Sequence, residues 1–150
     1  KDQLQSISRY AYDVEGRKIK WSVFNGSEIL LSYSTYAYES GRLTKIENFS
    51  PSGILEDSFV MEYDAGGHKL FERYLTAGGK QERYTQYRYA DGLCVEEVYA
   101  RAGGSVVRTV KYEYDADGNV RRIRHFDLGT VLREIVDREY IVREVRVLKK

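Results

Sequence analysis

The sequence predicts an all-β fold: an antiparallel meander of about eleven strands from tandem hairpin repeats of roughly 25 residues. Three observations predict it: aromatic markers recur on one period, each marker is followed by turn chemistry, and apolar residues alternate with polar ones between turns. The first marker is the second tyrosine of five similar segments. They are Tyr10-Ala-Tyr12-Asp13-Val-Glu-Gly16, Tyr36-Ala-Tyr38-Glu39-Ser-Gly41, Met61-Glu-Tyr63-Asp64-Ala-Gly66-Gly67, Tyr87-Arg-Tyr89-Ala-Asp91-Gly92 and Tyr112-Glu-Tyr114-Asp115-Ala-Asp-Gly118. These tyrosines step by 26, 25, 26 and 25 residues. A second set, Phe24, Phe49, Tyr74, Tyr99 and Phe126, steps by 25, 25, 25 and 27.

Both markers precede turns. Asp-x-x-Gly suits a type I turn closed by a left-handed residue. The second set runs into Asn25-Gly26, Ser52-Gly53, Gly78-Gly79, Gly103-Gly104 and Leu128-Gly129. Ten turns leave room for strands of roughly 8 to 11 residues and none for helices of ordinary length. The chain has 13 glycines and one proline, Pro51, so its turns rely on positive φ rather than on proline rings.

Before each Asp-turn the alternation is clean: Phe59, Met61 and Tyr63 share one phase, Val60 and Glu62 the other. After the turn Trp21 and Phe24, Ile46 and Phe49, Phe71 and Tyr74, and Ile123 and Phe126 lie three apart. A β-bulge, or an aromatic already in the turn, would bring such a pair to one face. So many strands do not stay flat. The sheet is expected to curl on its tyrosine face into a spiral ribbon or open half-barrel, the alternative being a closed up-and-down barrel holding an apolar ligand. The marker aromatics are then expected to form the core, each burying about 150–250 Å². Residues 131–147 are expected to form one long or bulged strand, as a cap or an open edge.

At 150 residues the chain is expected to be a single domain, 1–150, able to form a core without staples. The balance of 24 basic and 23 acidic residues, interleaved throughout, disfavours a nucleic-acid role; the one basic cluster, Arg121, Arg122 and Arg124, suits a solvated strand face. No apolar run approaches the roughly 18 residues of a membrane helix, so no membrane insertion is expected. Cys94 is the one cysteine, without an activating neighbour, and is expected to be inert. His68 and His125 lie in different repeats without partners at ligand spacing. Asp115-Ala-Asp117-Gly118-Asn119 resembles the start of a calcium loop, but its glycine is fourth rather than sixth. The glycine pairs precede no helix and do not cradle phosphate. No catalytic residue, metal site or cofactor is therefore expected. The chain starts at Lys1 rather than at methionine, which suggests a processed or excised piece, so a missing signal peptide says nothing of compartment.

The phrase Tyr112-Glu-Tyr114-Asp115-Ala-Asp-Gly118-Asn119, followed by Gly129-Thr130 and a further strand, resembles the YD repeat of the bacterial rearrangement-hot-spot family. The resemblance covers residues 10 to 130 and rests on tyrosine, aspartate and glycine at the turns. It implies an exported bacterial protein (cell surface, periplasm or secreted) whose repeats form a strip of β-hairpins, and sugar binding has been attributed to such repeats. The period here is longer than the family's usual one, and no toxin domain or autocleavage segment is visible. The expected function is a non-catalytic structural or protein-interaction module, with partners or further copies added at the sheet edges. The alternative is carbohydrate binding on surface aromatics, for which Trp21, Tyr33 and Tyr84 are the candidate residues.

Overall fold

Each turn between the described strands is a local device that reverses the chain, and the fold is their sum. A computed structural model describes residues 5–140. In it eleven strands form one antiparallel sheet in sequence order. They are β1 (Ser6–Tyr12), β2 (Lys18–Asn25), β3 (Leu30–Glu39), β4 (Arg42–Phe49), β5 (Leu55–Tyr63), β6 (Lys69–Thr76), β7 (Gln81–Ala90), β8 (Leu93–Arg101), β9 (Val106–Tyr114), β10 (Val120–Asp127) and β11 (Val131–Asp137). β1 and β11 do not pair, so the sheet is open and the closed barrel, with its enclosed lumen, is overturned. β11 ends at Asp137, short of the strand expected over 131–147, and residues 141–147 lie outside the described residues.

The Asp-x-x-Gly turns work as their chemistry dictates. Asp13 Oδ1 accepts from the backbone N–H groups of Glu15 and Arg17, while Gly16, at φ 79°, donates to the Asp13 carbonyl. Asp115 does the same for Asp117 and Asn119. The turn after β2 departs from the expected Asn25-Gly26 pair: Asn25 takes the aspartate's part, and Glu28 adopts the left-handed conformation at φ 61°. Glu39-Ser40-Gly41-Arg42 and Ala90-Asp91-Gly92-Leu93 differ again. They are two-residue turns with both central residues at positive φ, the type that matches strand twist. At Gly67 an added Cβ would also have to push the flexible Arg42 guanidinium aside.

Each of the ten hairpins carries one register shift near its turn. The unpaired residue is always on the second strand: Ile19, Leu31, Thr44, Glu56 and Leu70 in the first five hairpins, then Glu82, Val95, Val107, Arg121 and Arg133. Such bulges bend a strand and increase its twist, and repetition makes the bend systematic.

Register fixes the faces. Tyr10, Tyr12, Tyr36, Tyr38, Met61, Tyr63, Tyr87, Tyr89, Tyr112 and Tyr114 share one side, here the tyrosine face. The second marker set does not share a face. Phe24, Phe49 and Phe126 lie one residue before a turn-opening residue and point to the opposite face; Tyr74 and Tyr99 lie two before and point to the tyrosine face. The residues spaced three apart likewise point to opposite sides, with no bulge between them. Neither a bulge nor an early turn brings those pairs together, because both faces carry aromatics: Tyr33 stacks on Phe49 and Tyr84 meets Phe71 on the second face.

The expected aromatic core is absent for the same reason. Strands touch only their neighbours in the meander, so among the described residues the sheet is a single layer with nothing packed over it. The buried apolar side chains are Met61, Ala100, Val110 and Ile123, and no marker aromatic joins them. Cohesion therefore rests on contacts within each face: cross-strand pairs and cations over rings, such as Lys20 over Tyr33 and Arg9 over Phe24.

The tyrosine ladder is one such device. The hydroxyls of Tyr38, Tyr63, Tyr89 and Tyr114 donate to the carbonyls of Lys18, Leu43, Lys69 and Cys94, at 2.9, 2.8, 3.1 and 2.6 Å. Each acceptor lies just past the preceding Asp-turn and pairs with the preceding marker tyrosine. Each repeat is thereby stapled to the one before it. Tyr12, on the outermost strand described, is 58% exposed.

Candidate functional site

The tyrosine face holds a cleft of about 410 Å³ over β5 to β9, lined among others by Phe59, Glu72, Tyr74, Arg83, Thr85, Tyr99 and Arg101. These side chains converge because their strands pair in register. Phe59 lies opposite Tyr74, Tyr74 opposite Arg83, and Arg83 opposite Arg101; in the next row Glu72, Thr85, Tyr99 and Arg108 follow one another. Phe59 and Tyr74 meet edge to face at 5.2 Å. The Arg83 and Arg108 guanidinium carbons each lie 4.0 Å from a ring centroid, over Tyr74 and Tyr99 respectively.

Beside the cleft the hydroxyls of Tyr99 and Tyr112 both donate to the Glu97 carboxylate. Burial, then the Glu97 charge, pushes the Tyr99 phenol up to about 12 and raises Tyr112 as well. Lys69 reaches Glu72 at 2.7 Å and lies 4.5 Å over Tyr87. Burial works against its charge, yet Glu72 and Tyr87 hold the ammonium above the usual lysine range. Toward β3 a polar relay runs across the strands, with Ser34 donating to Asn48 and Asn48 to Asp57, both at 2.6 Å. The face thus combines rings, committed carboxylates and outward cations. Such a surface can bind and position a ligand.

A titration checks the Glu97 arrangement. The protonated Tyr99 is favoured by folding, so its contribution to stability is full below pH 10.0 and is lost as pH rises to about 12. Tyrosinate absorbance will show a late-ionising component that moves to lower pH in Glu97→Gln. Ionisation of all tyrosines in one step near the ordinary phenol value sinks this account.

The carbohydrate candidates are not assembled. Trp21 lies on the tyrosine face, stacked at 7° on Tyr10, and its indole N–H donates to Ser8. Tyr33 and Tyr84 lie on the other face, on β3 and β7, and all three are half-buried. Among the remaining candidates, Asp64 binds the His68 ring at 3.0 Å within its own turn. Hydrogen bonds from the His68 backbone and ring hold the Asp64 carboxyl below its usual range. His125 is placed opposite Val110 and Glu134. Burial pushes the Cys94 thiol up, away from a reactive thiolate. The Asp115 carboxylate is committed to the N–H groups of its turn. Arg121 and Arg124 pair with Glu113, and Arg122 with Asp137. No group of three or more potential metal ligands occurs among the described residues. No helix there is long and apolar enough to cross a membrane.

Sequence reasoning missed Arg83, Arg101 and Arg108, whose convergence depends on the bulges. It missed Tyr10 as well, which is 51% exposed beside Trp21.

No family model matches the chain, and no curated protein does. Among solved structures it is similar to a protein of unknown function from Bacteroides fragilis, at 11% identity and a TM-score of 0.39, over 89% of this chain and 92% of that one. It is also similar to part of an S. aureus TarM variant solved with fondaparinux, α-GlcNAc-glycerol and UDP. That match has 7% identity and a TM-score of 0.25, over 80% of this chain and 21% of that one. At these values neither likeness bears on function.

Proposed function

We propose that this chain is a non-catalytic module of YD-repeat type from an exported bacterial protein, acting as a structural strip that takes on partners or further copies by strand addition at its edges. The observation that carries this reading is the single layer: each strand touches only its neighbours, and β1 and β11 each pair on one side only among the described residues. An unpaired edge presents backbone donors and acceptors to any strand that approaches. β11 adds exposed apolar side chains, Val131, Leu132 and Ile135, which favour association once an edge contact forms. The tandem hairpins with tyrosine, aspartate and glycine at the turns support the YD-repeat assignment, and export follows from that assignment alone.

Sedimentation velocity on the full chain tests edge addition. The chain will associate as its concentration rises, and Leu132→Lys with Ile135→Lys will return it to the monomer with unchanged strand content. A chain that stays strictly monomeric up to millimolar concentration overturns the proposal.

A further inference from the structure

We propose that the cleft on the tyrosine face is an oxyanion site, where the guanidinium groups of Arg83 and Arg101 bracket a carboxylate, sulfate or phosphate group carried by a small ligand. The starting observation is a conflict. Arg83 and Arg101 occupy directly paired positions on β7 and β8. Directly opposed residues of antiparallel strands have Cβ atoms about 4.5–5.5 Å apart, and like charges placed so are destabilising. The other directly opposed cations of the described sheet, Lys111 and Arg124, are each balanced by an acid, Glu96 and Glu113 respectively. Among the described residues no carboxylate lies within ion-pair distance of Arg83, Arg101 or Arg108.

Three acids around the cleft have partners of their own. Glu72 holds Lys69, Asp57 accepts from Asn48, and Glu97 accepts from both Tyr99 and Tyr112. Arg83 and Arg101 thus stand without an ion-pair partner of their own beside the partly apolar wall of the cleft. An oxyanion between the two guanidinium groups removes the repulsion and replaces it with charge-assisted hydrogen bonds.

Tyr74 sets the geometry. Its ring lies under Arg83, and its edge contact with Phe59 fixes the ring in turn. The guanidinium is thus seated on the ring before any ligand arrives, which lowers the ordering cost of binding. Because a guanidinium already lies over Tyr74 and another over Tyr99, these rings serve as supports for the cations rather than as open platforms for a neutral sugar. The cleft volume, about 410 Å³, falls at the small end of ligand sites, suited to an anionic group on one or two rings.

The test uses the full chain, NMR titration and four probes: sodium sulfate, glucuronate, glucose 6-phosphate and glucose. Saturable shifts at β7 and β8 with the anions and none with glucose are expected. Arg83→Gln with Arg101→Gln will weaken that binding at least about tenfold. Arg88→Gln, on the opposite face, will leave it unchanged. Glucuronate or glucose 6-phosphate binding more tightly than sulfate identifies a sugar acid as the ligand; equal binding identifies the bare oxyanion, and either supports the site. No saturable binding by any anion, or equal binding by the folded double variant, overturns it.

Discussion

Replacing Tyr38, Tyr63, Tyr89 and Tyr114 together by phenylalanine will lower the unfolding free energy by about 2–6 kcal/mol, at roughly 0.5–1.5 kcal/mol for each lost hydrogen bond. The rings stay and only four hydroxyls go, so packing and propensity are almost untouched. Successive staples lie two strands apart, roughly 9–10 Å, and their effects should add. The expected loss is large because, among the described residues, this sheet has no second layer to share it. Urea unfolding of the four single variants and the quadruple variant measures it. A quadruple variant within about 0.5 kcal/mol of the parent would show that the hydroxyls only decorate the turns.

The second large effect is expected at Val110, 3% exposed and placed between Glu97 and His125 on the tyrosine face. Val110→Asp introduces a carboxylate where water is excluded and directly opposite Glu97, whose oxygens are already occupied by two tyrosine hydroxyls. A cost of about 3–5 kcal/mol follows from burying an unpaired charge, against about 1–2 kcal/mol for Val110→Ala. The damage should also be local. Strands that touch only their neighbours transmit destabilisation stepwise, as in repeat proteins. Hydrogen exchange should therefore show β8 to β11 losing protection while β1 to β4 keep theirs. Uniform loss across the sheet would contradict a nearest-neighbour fold.

The strand count and the meander were legible because they depend on turn chemistry alone, and Asp13, Gly16, Asp115 and Gly118 act locally wherever the sheet goes. The tyrosine face was legible too, since Tyr36/Tyr38 and Tyr87/Tyr89 keep strict alternation up to their turns. Burial was not. Periodicity shows which side chains share a face, but not whether anything covers that face, and here nothing among the described residues does. Phe24 and Tyr74 occupy like places in the period yet point to opposite sides, because one residue more or fewer before a turn reverses a side chain. The cleft was hidden for a related reason. Counting back from Ala90 and Leu93 without a bulge pairs Arg83 with Ala100; the unpaired Val95 moves its partner to Arg101. The site exists by virtue of that one-residue shift.

The staples of the ladder end on main-chain oxygens, and the four residues that supply them are two lysines, a leucine and a cysteine. An acceptor common to every amino acid places no demand on the identity of the residue that offers it. A recombination event that deletes or duplicates a whole hairpin pair would bring a tyrosine against a different residue, with its hydroxyl still meeting a carbonyl. The chain is built so that its length can change during evolution while each junction needs only the right spacing.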